Sequence, residues 1–253
     1  MSGSVLDYII LIISAFFAGV LNTVAGGGSI LTFPALVLVG VPPISASATS
    51  AMVVLPGYLG AAFGFRRELS RLGFKLLTRC IFIAVLGGLL GAQILLITPI
   101  QSFELIVPCL ILFATALFGF SAPLKRWLSK RGEPVRGLET GSLLAVSTYG
   151  GFFNGGLGFL LMAVFSLRGF GLATTNALKS AMSFPLTLVS VSTFILAGVI
   201  EWAPAAAMML ASTLGGFSGS VVTKVLSPSI LKLGVVFFGT TIGFAFLLDC
   251  FLP

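Results

Sequence analysis

Histidine is absent from this chain of 253 residues, and acidic residues number only seven. The first absence removes the usual general base and the commonest transition-metal ligand. The second matters through position: Asp7, Glu104, Glu201 and Asp249 fall at the ends of apolar runs, so the mid-membrane acid of a proton relay is missing. Cys80, Cys109 and Cys250 lie far apart, without metal or redox spacing, and are expected to be apolar thiols. No Gly-x-Ser-x-Gly element occurs, and a Ser–Lys arrangement using Lys179 is the one hydrolytic geometry left. No catalytic residue, metal or cofactor is therefore expected.

Charge as a whole is scarce, at 8% of residues against 57% hydrophobic, where an average soluble domain is about a quarter charged. With a mean hydropathy of +1.16, this is the composition of an integral membrane protein. At roughly 20 residues per span the chain has room for about eight or nine crossings and no soluble domain. Met1 to Asp7 has no basic n-region, so the first apolar run is expected to stay as a membrane segment. The net charge of +7 does not point to nucleic acid. Most basic residues sit in two short stretches, Arg66 to Arg79 and Lys125 to Arg136, which the positive-inside rule assigns to the cytoplasm.

What is plentiful is glycine, and its placement organises the chain. Ala25-Gly26-Gly27-Gly28-Ser29 interrupts the apolar sequence between Tyr8–Val24 and the ten residues Ile30–Val39. A break inside hydrocarbon needs a reason, because no water is there to satisfy freed backbone groups. It either lets helices pack closely or lines a polar cavity where backbone N–H groups hold an anion. Ile30–Val39 is too short for an upright span and reads as a half-helix. After Gly40-Val41-Pro42-Pro43, the polar head Ser45 to Ser50 opens another helix to about Phe65. Ile81–Ile97 and Leu105–Phe120 follow as spans, the first with Gly87, Gly88 and Gly91 at packing spacing.

From Leu138 the pattern restarts. Gly26 and Gly28 match Gly156 and Gly158, Ser50-Ala51-Met52 matches Ser180-Ala181-Met182, and Gly87 to Gly91 matches Gly215 to Gly219. Two repeats are expected, 1–132 and 133–253, together forming one membrane domain. The basic loop after the first polar-headed helix aligns with Ala197 to Met209, which holds Glu201 and no basic residue. The bare turn Thr98 to Ser102 aligns with the segment of Lys224 and Lys232. The signs swap, which predicts inverted topology with both termini outside. The fold class expected is all-α and polytopic, with about eight helical membrane segments including broken or re-entrant ones.

The polar residues gather at the two breaks. Asn22, Gly26, Gly27, Gly28, Ser29, Thr49 and Ser50 come from the first repeat, and Asn154, Gly156, Gly158, Asn176, Lys179 and Ser180 from the second. Hydroxyls, amides and backbone N–H groups can hold a small oxyanion without a titratable side chain. Lys179, matched by Thr49, is the sharpest member, since a charge at membrane depth is a functional candidate by default. An anion also has a driving force outward, about 2.3 kcal/mol per charge per 100 mV and roughly 4.6 for a dianion.

The sequence Gly19 to Pro34 (GVLNTVAGGGSILTFP), the following Ala48-Thr49-Ser50, and the degenerate copy Gly150 to Met162 (GGFFNGGLGFLLM) resemble the sulfite exporter TauE/SafE family along essentially the whole chain. The resemblance implies a transporter of small sulfur-containing anions, such as sulfite or sulfoacetate, in the bacterial inner membrane. Uptake of an oxyanion such as thiosulfate, or a non-transporting membrane partner protein, are the competing readings. The second copy departs by lacking a glycine triplet and a proline matching Pro34. The partners expected are the small anion and the lipid bilayer, with room for a homodimer.

Overall fold

The computed structural model describes residues 4–24, 27–120, 139–225 and 228–251. Among these residues the regular structure is all helix, with no strand. The elements are α1 (Val5–Val24), α2 (Ser29–Leu38), α3 (Pro43–Gly64), α4 (Arg66–Ser70), α5 (Phe74–Ile97), α6 (Ile100–Gly119), α7 (Glu139–Phe152), α8 (Leu157–Leu167), α9 (Leu172–Leu196), α10 (Trp202–Val225) and α11 (Pro228–Phe251). Five of them, α1, α3, α5, α6 and α9, are long and apolar enough to cross a membrane by the residues described. The protein is a multi-pass membrane protein.

The interrupted regions come out as long–short helix pairs. α2 has 10 residues and α8 has 11, about 15 Å each and half of a 30 Å hydrocarbon core. Pro42 and Pro43 end the first pair, and α3 starts on Pro43 at a position where a missing N–H costs nothing. α8 starts on Gly156 at φ +80°, a left-handed turn that glycine enters without strain.

The exterior is apolar, and hydroxyls lie buried among the apolar side chains of the interior. Phe74, Phe82, Leu196 and Phe217 face outward, whereas Ser29, Thr32, Thr49, Ser50, Thr175, Ser180, Ser183, Thr187 and Ser190 are buried. Apolar surface therefore gives no drive to bring helices together, and close backbone approach does. α1 packs along α10 and α5 along α7, both through glycine. A Cβ on Gly19 would land on the Ser212 carbonyl, one on Gly215 on the Phe16 carbonyl, and one on Gly91 on the Thr148 carbonyl. The expected packing role of Gly87 and Gly91 is met at this second contact, and that of Gly88 against α9, where its Cβ would meet the Leu186 carbonyl.

α3 crosses α9, α3 also packs on α10, α9 on α5, and α6 on α11. The N–H of Glu201 donates to Thr49 Oγ1 at 3.0 Å. The head of α3 thus lies beside the end of α9, and these central helices run antiparallel.

Candidate functional site

Where α3 and α9 cross, the two breaks converge on one amide. Asn154 follows the last turn of α7, and its Oδ1 accepts from Tyr58 OH at 2.7 Å and from Ser29 Oγ at 3.4 Å. Its Nδ2 donates to Thr187 Oγ1 at 3.0 Å. Four elements are tied together: the α7–α8 break, the head of α2, α3 and α9. Tyr58 lies eight residues before Arg66, about 12 Å along a helix, and Thr187 nine residues before the end of α9, about 13 Å. Both values are close to half a hydrocarbon core, which puts the network near the midplane.

Tyr58 and Thr187 hold equivalent places, two residues after Pro56 and Pro185 in the aligned runs SAMVVLP and SAMSFP. Neither was among the expected residues, because the one-residue difference between these runs takes them out of the 130-residue register. The proline-anchored alignment is the signal that finds them.

Asn22 is the counterpart of Asn154, in Gly19-Val20-Leu21-Asn22 against Gly151-Phe152-Phe153-Asn154. It is 7% exposed, its Nδ2 reaches the Val54 carbonyl at 3.5 Å, and its Oδ1 has no partner. Gly57 lies directly against it, since a Cβ there would sit 2.8 Å from Nδ2.

Ser50 and Ser180, equivalent by alignment, differ in their partners. Ser50 Oγ lies 2.6 Å from Thr32 Oγ1 across α2 and α3. The residue matching Thr32 on α8 is Met162, which cannot pair with a hydroxyl in the same way. Ser180 Oγ is buried without a partner, and so is Ser183 Oγ one turn further along α9. Lys179, buried at 8% exposure, stands beside them. At spacings of three and four residues, Lys179, Ser180, Ser183 and Thr187 share one side of α9. A buried hydroxyl left unpaired costs about 1–3 kcal/mol. Two of them beside a buried lysine form a donor set suited to an anion.

The other expected residues are distributed as follows. Ser29 joins the Asn154 network, while Thr49, in the head of α3, is taken by the Glu201 N–H. Asn176 is half-buried on α9. Gly27 and Gly28 are buried in close packing, Gly27 against Phe159 and Gly28 against the Ala18 carbonyl, and Gly158 is buried within α8. Gly26 lies outside the described residues, as do the basic connector 121–138 and the side chains of Lys224, Lys232 and Asp249. At the breaks, the N–H groups of Ile30, Leu31, Leu157 and Phe159 bond to carbonyls three residues back. The polar groups that the site offers are chiefly side chains.

Two cavities differ in character. A crevice of about 660 Å³ between α6 and α11 is lined by Leu112, Phe120, Leu233, Val236 and Phe244 together with Thr115 and Thr240, a mainly apolar surface. One of about 440 Å³ lies between α3 and α10, along Pro56, Gly57, Gly60, Gly64, Ser212 and Gly216. Among the described residues no group of His, Cys, Asp and Glu could hold a metal ion.

Comparison with known proteins agrees with this architecture. The family model described as Sulfite exporter TauE/SafE matches residues 11–246. A "Probable membrane transporter protein" of Haemophilus influenzae is 29% identical over 90% of this chain and 89% of its own. The probable membrane transporter protein YfcA of Escherichia coli K12 is 28% identical, over 90% and 86%. The probable membrane transporter protein ORF9 of a Sinorhizobium species is 25% identical, over 94% and 92%. No solved structure matches.

Proposed function

This chain belongs to the sulfite exporter TauE/SafE family of membrane transporters, and from that premise we propose that it exports small sulfur-containing anions, sulfite or organosulfonates such as sulfoacetate, across the bacterial inner membrane. The observation that carries the proposal is the pair of buried, unpartnered hydroxyls, Ser180 and Ser183, beside the buried Lys179 on the face of α9 that also holds Thr187. Each hydroxyl can rotate to donate to an oxyanion, and the lysine supplies the countercharge in a region of low dielectric.

Two inverted repeats, 1–132 and 133–253, carry the site. The exchange of helix partners supports this: α1 with α10 answers α7 with α5, α3 with α10 answers α9 with α5, and α3 with α9 and α6 with α11 pair across the two halves. In this arrangement α1–α2 and α7–α8 enter the membrane from opposite sides as re-entrant pairs, and three crossings remain per repeat. Both termini are periplasmic, and transport proceeds by alternating access around the Asn154 network. The bilayer and the small anion are the partners; a homodimer is compatible with the apolar exterior.

Purified protein in proteoliposomes tests the reading. Sulfite efflux should accelerate under a potential that drives anions outward, and Lys179→Ala should abolish it while the protein remains folded. Unaltered flux in the variant, or flux only inward and of thiosulfate, would remove the assignment.

A further inference from the structure

The two matching helix crossings are in different states. On the α9–α5 side, Ser190 Oγ donates to the Gly88 carbonyl at 3.0 Å, and a Cβ on Gly88 would meet the Leu186 carbonyl and Val189. That contact is closed. On the α3–α10 side the aligned positions are Gly60 and Ala61, opposite Gly216. Here a crevice of about 440 Å³ stays open, and Cβ atoms on Gly60 and Gly64 would meet nothing within 4 Å. At its inner end lies Gly57, with the Asn22 amide behind it and the Asn22 Oδ1 unpartnered. At its outer end α3 passes into Arg66, Arg67 and Arg71, all exposed, a basic rim on the side that the positive-inside rule makes cytoplasmic. From Gly57 to Phe65 is eight residues, about 12 Å, or the distance from midplane to interface.

We propose that the α3–α10 crevice is the cytoplasmic half of the anion path, open in this conformation, and that the Ser190–Gly88 contact between α9 and α5 is the closed outer gate. This rests on the transport function proposed above. The rim arginines raise the local concentration of anions at the mouth, and glycine at 60 and 64 leaves the wall bare enough for a hydrated oxyanion to reach Gly57, behind which the Asn22 amide lies. Opening the outer gate requires Ser190 to leave Gly88 while α3 closes on α10, each crossing adopting the state of the other.

The test is accessibility in the full-length protein with Cys80, Cys109 and Cys250 replaced by Ser. Gly60→Cys and Gly64→Cys place a thiol in open space, and Ser190→Cys places one at the outer gate. The probe is a membrane-impermeant anionic methanethiosulfonate, applied to inverted and to right-side-out vesicles, with folding checked by size exclusion. The crevice thiols should react only from the cytoplasmic face, with loss of transport, and Ser190→Cys should resist reagent from both faces in the absence of substrate. Reaction of Gly60→Cys from the external face, or from neither face because lipid fills the crevice, would overturn the path. Labelling does not depend on which anion is carried. Cytoplasmic-only labelling that sulfite fails to slow would strike the substrate and leave the path standing.

Discussion

Asn154→Ala removes the acceptor of Tyr58 and Ser29 and the donor to Thr187 in one change, and its effect can be worked from the geometry. Tyr58 OH is left buried, without the acceptor at 2.7 Å, at about 1–3 kcal/mol for an unsatisfied buried donor. The Ser29 bond is long, 3.4 Å, and its loss adds a few tenths at most. Thr187 sits within α9 and can turn its hydroxyl to its own helix, as Ser190 does to the Leu186 carbonyl, so its loss is small. Pairwise hydrogen bonds between membrane helices average about 0.6 kcal/mol with a maximum near 1.7, because the unfolded chain also finds partners. The expected destabilisation is therefore about 1–3 kcal/mol. Tyr58→Phe, which removes the donor and leaves Asn154 two partners, should cost about 1 kcal/mol or less. The double variant should cost less than the sum, since the second change removes a group already orphaned. Reversible unfolding in mixed micelles, measured for all four proteins, gives the coupling. Additive effects, or an Asn154→Ala protein as stable as the parent, would refute the idea that this amide ties the two breaks to the central helices.

Other outcomes follow from the packing. Gly19→Ala should destabilise by about 1–3 kcal/mol or prevent folding, because the new methyl group collides with the Ser212 carbonyl of α10. Gly60→Ala, in open space, should instead be neutral or stabilising by up to about 1 kcal/mol through helix propensity; thermal unfolding of the two proteins checks the contrast. Ser50→Ala breaks the 2.6 Å contact with Thr32 and should cost about 1 kcal/mol. The same unfolding assay should find the aligned Ser180→Ala no less stable than the parent, since Ser180 Oγ has no partner to lose.

Membrane character and the two interrupted regions were legible from composition and glycine spacing. Those signals depend on local chemistry: a triplet of glycines and a ten-residue apolar run cannot continue an upright span. The positions of Ser29 and Asn154 at the breaks were equally legible, and they do meet. Their partners were not, because Tyr58 and Thr187 sit in apolar stretches of long helices and become a pair only when α3 crosses α9. Thr49 shows the converse. Its place in a polar helix head resembles that of Ser50, yet antiparallel packing brings it to the Glu201 N–H rather than to the network. The difference between Ser50 and Ser180 was also hidden, because it depends on which residue of the short helix lies opposite, Thr32 in one case and Met162 in the other.

The central claim is that Ser180 and Ser183 are left unpaired so that an anion can take them. A ligand that binds only the folded protein stabilises it by about 2.7 kcal/mol at a concentration a hundredfold above its dissociation constant. The direct measurement is thermal unfolding of the purified protein with sulfite, sulfoacetate, thiosulfate and chloride, compared with Ser180→Ala/Ser183→Ala. The account predicts that sulfite or sulfoacetate raises the parent's midpoint, and that the double variant is at least as stable without anion yet gains nothing from it. Equal anion-dependent shifts in both proteins, or none in the parent, would contradict it.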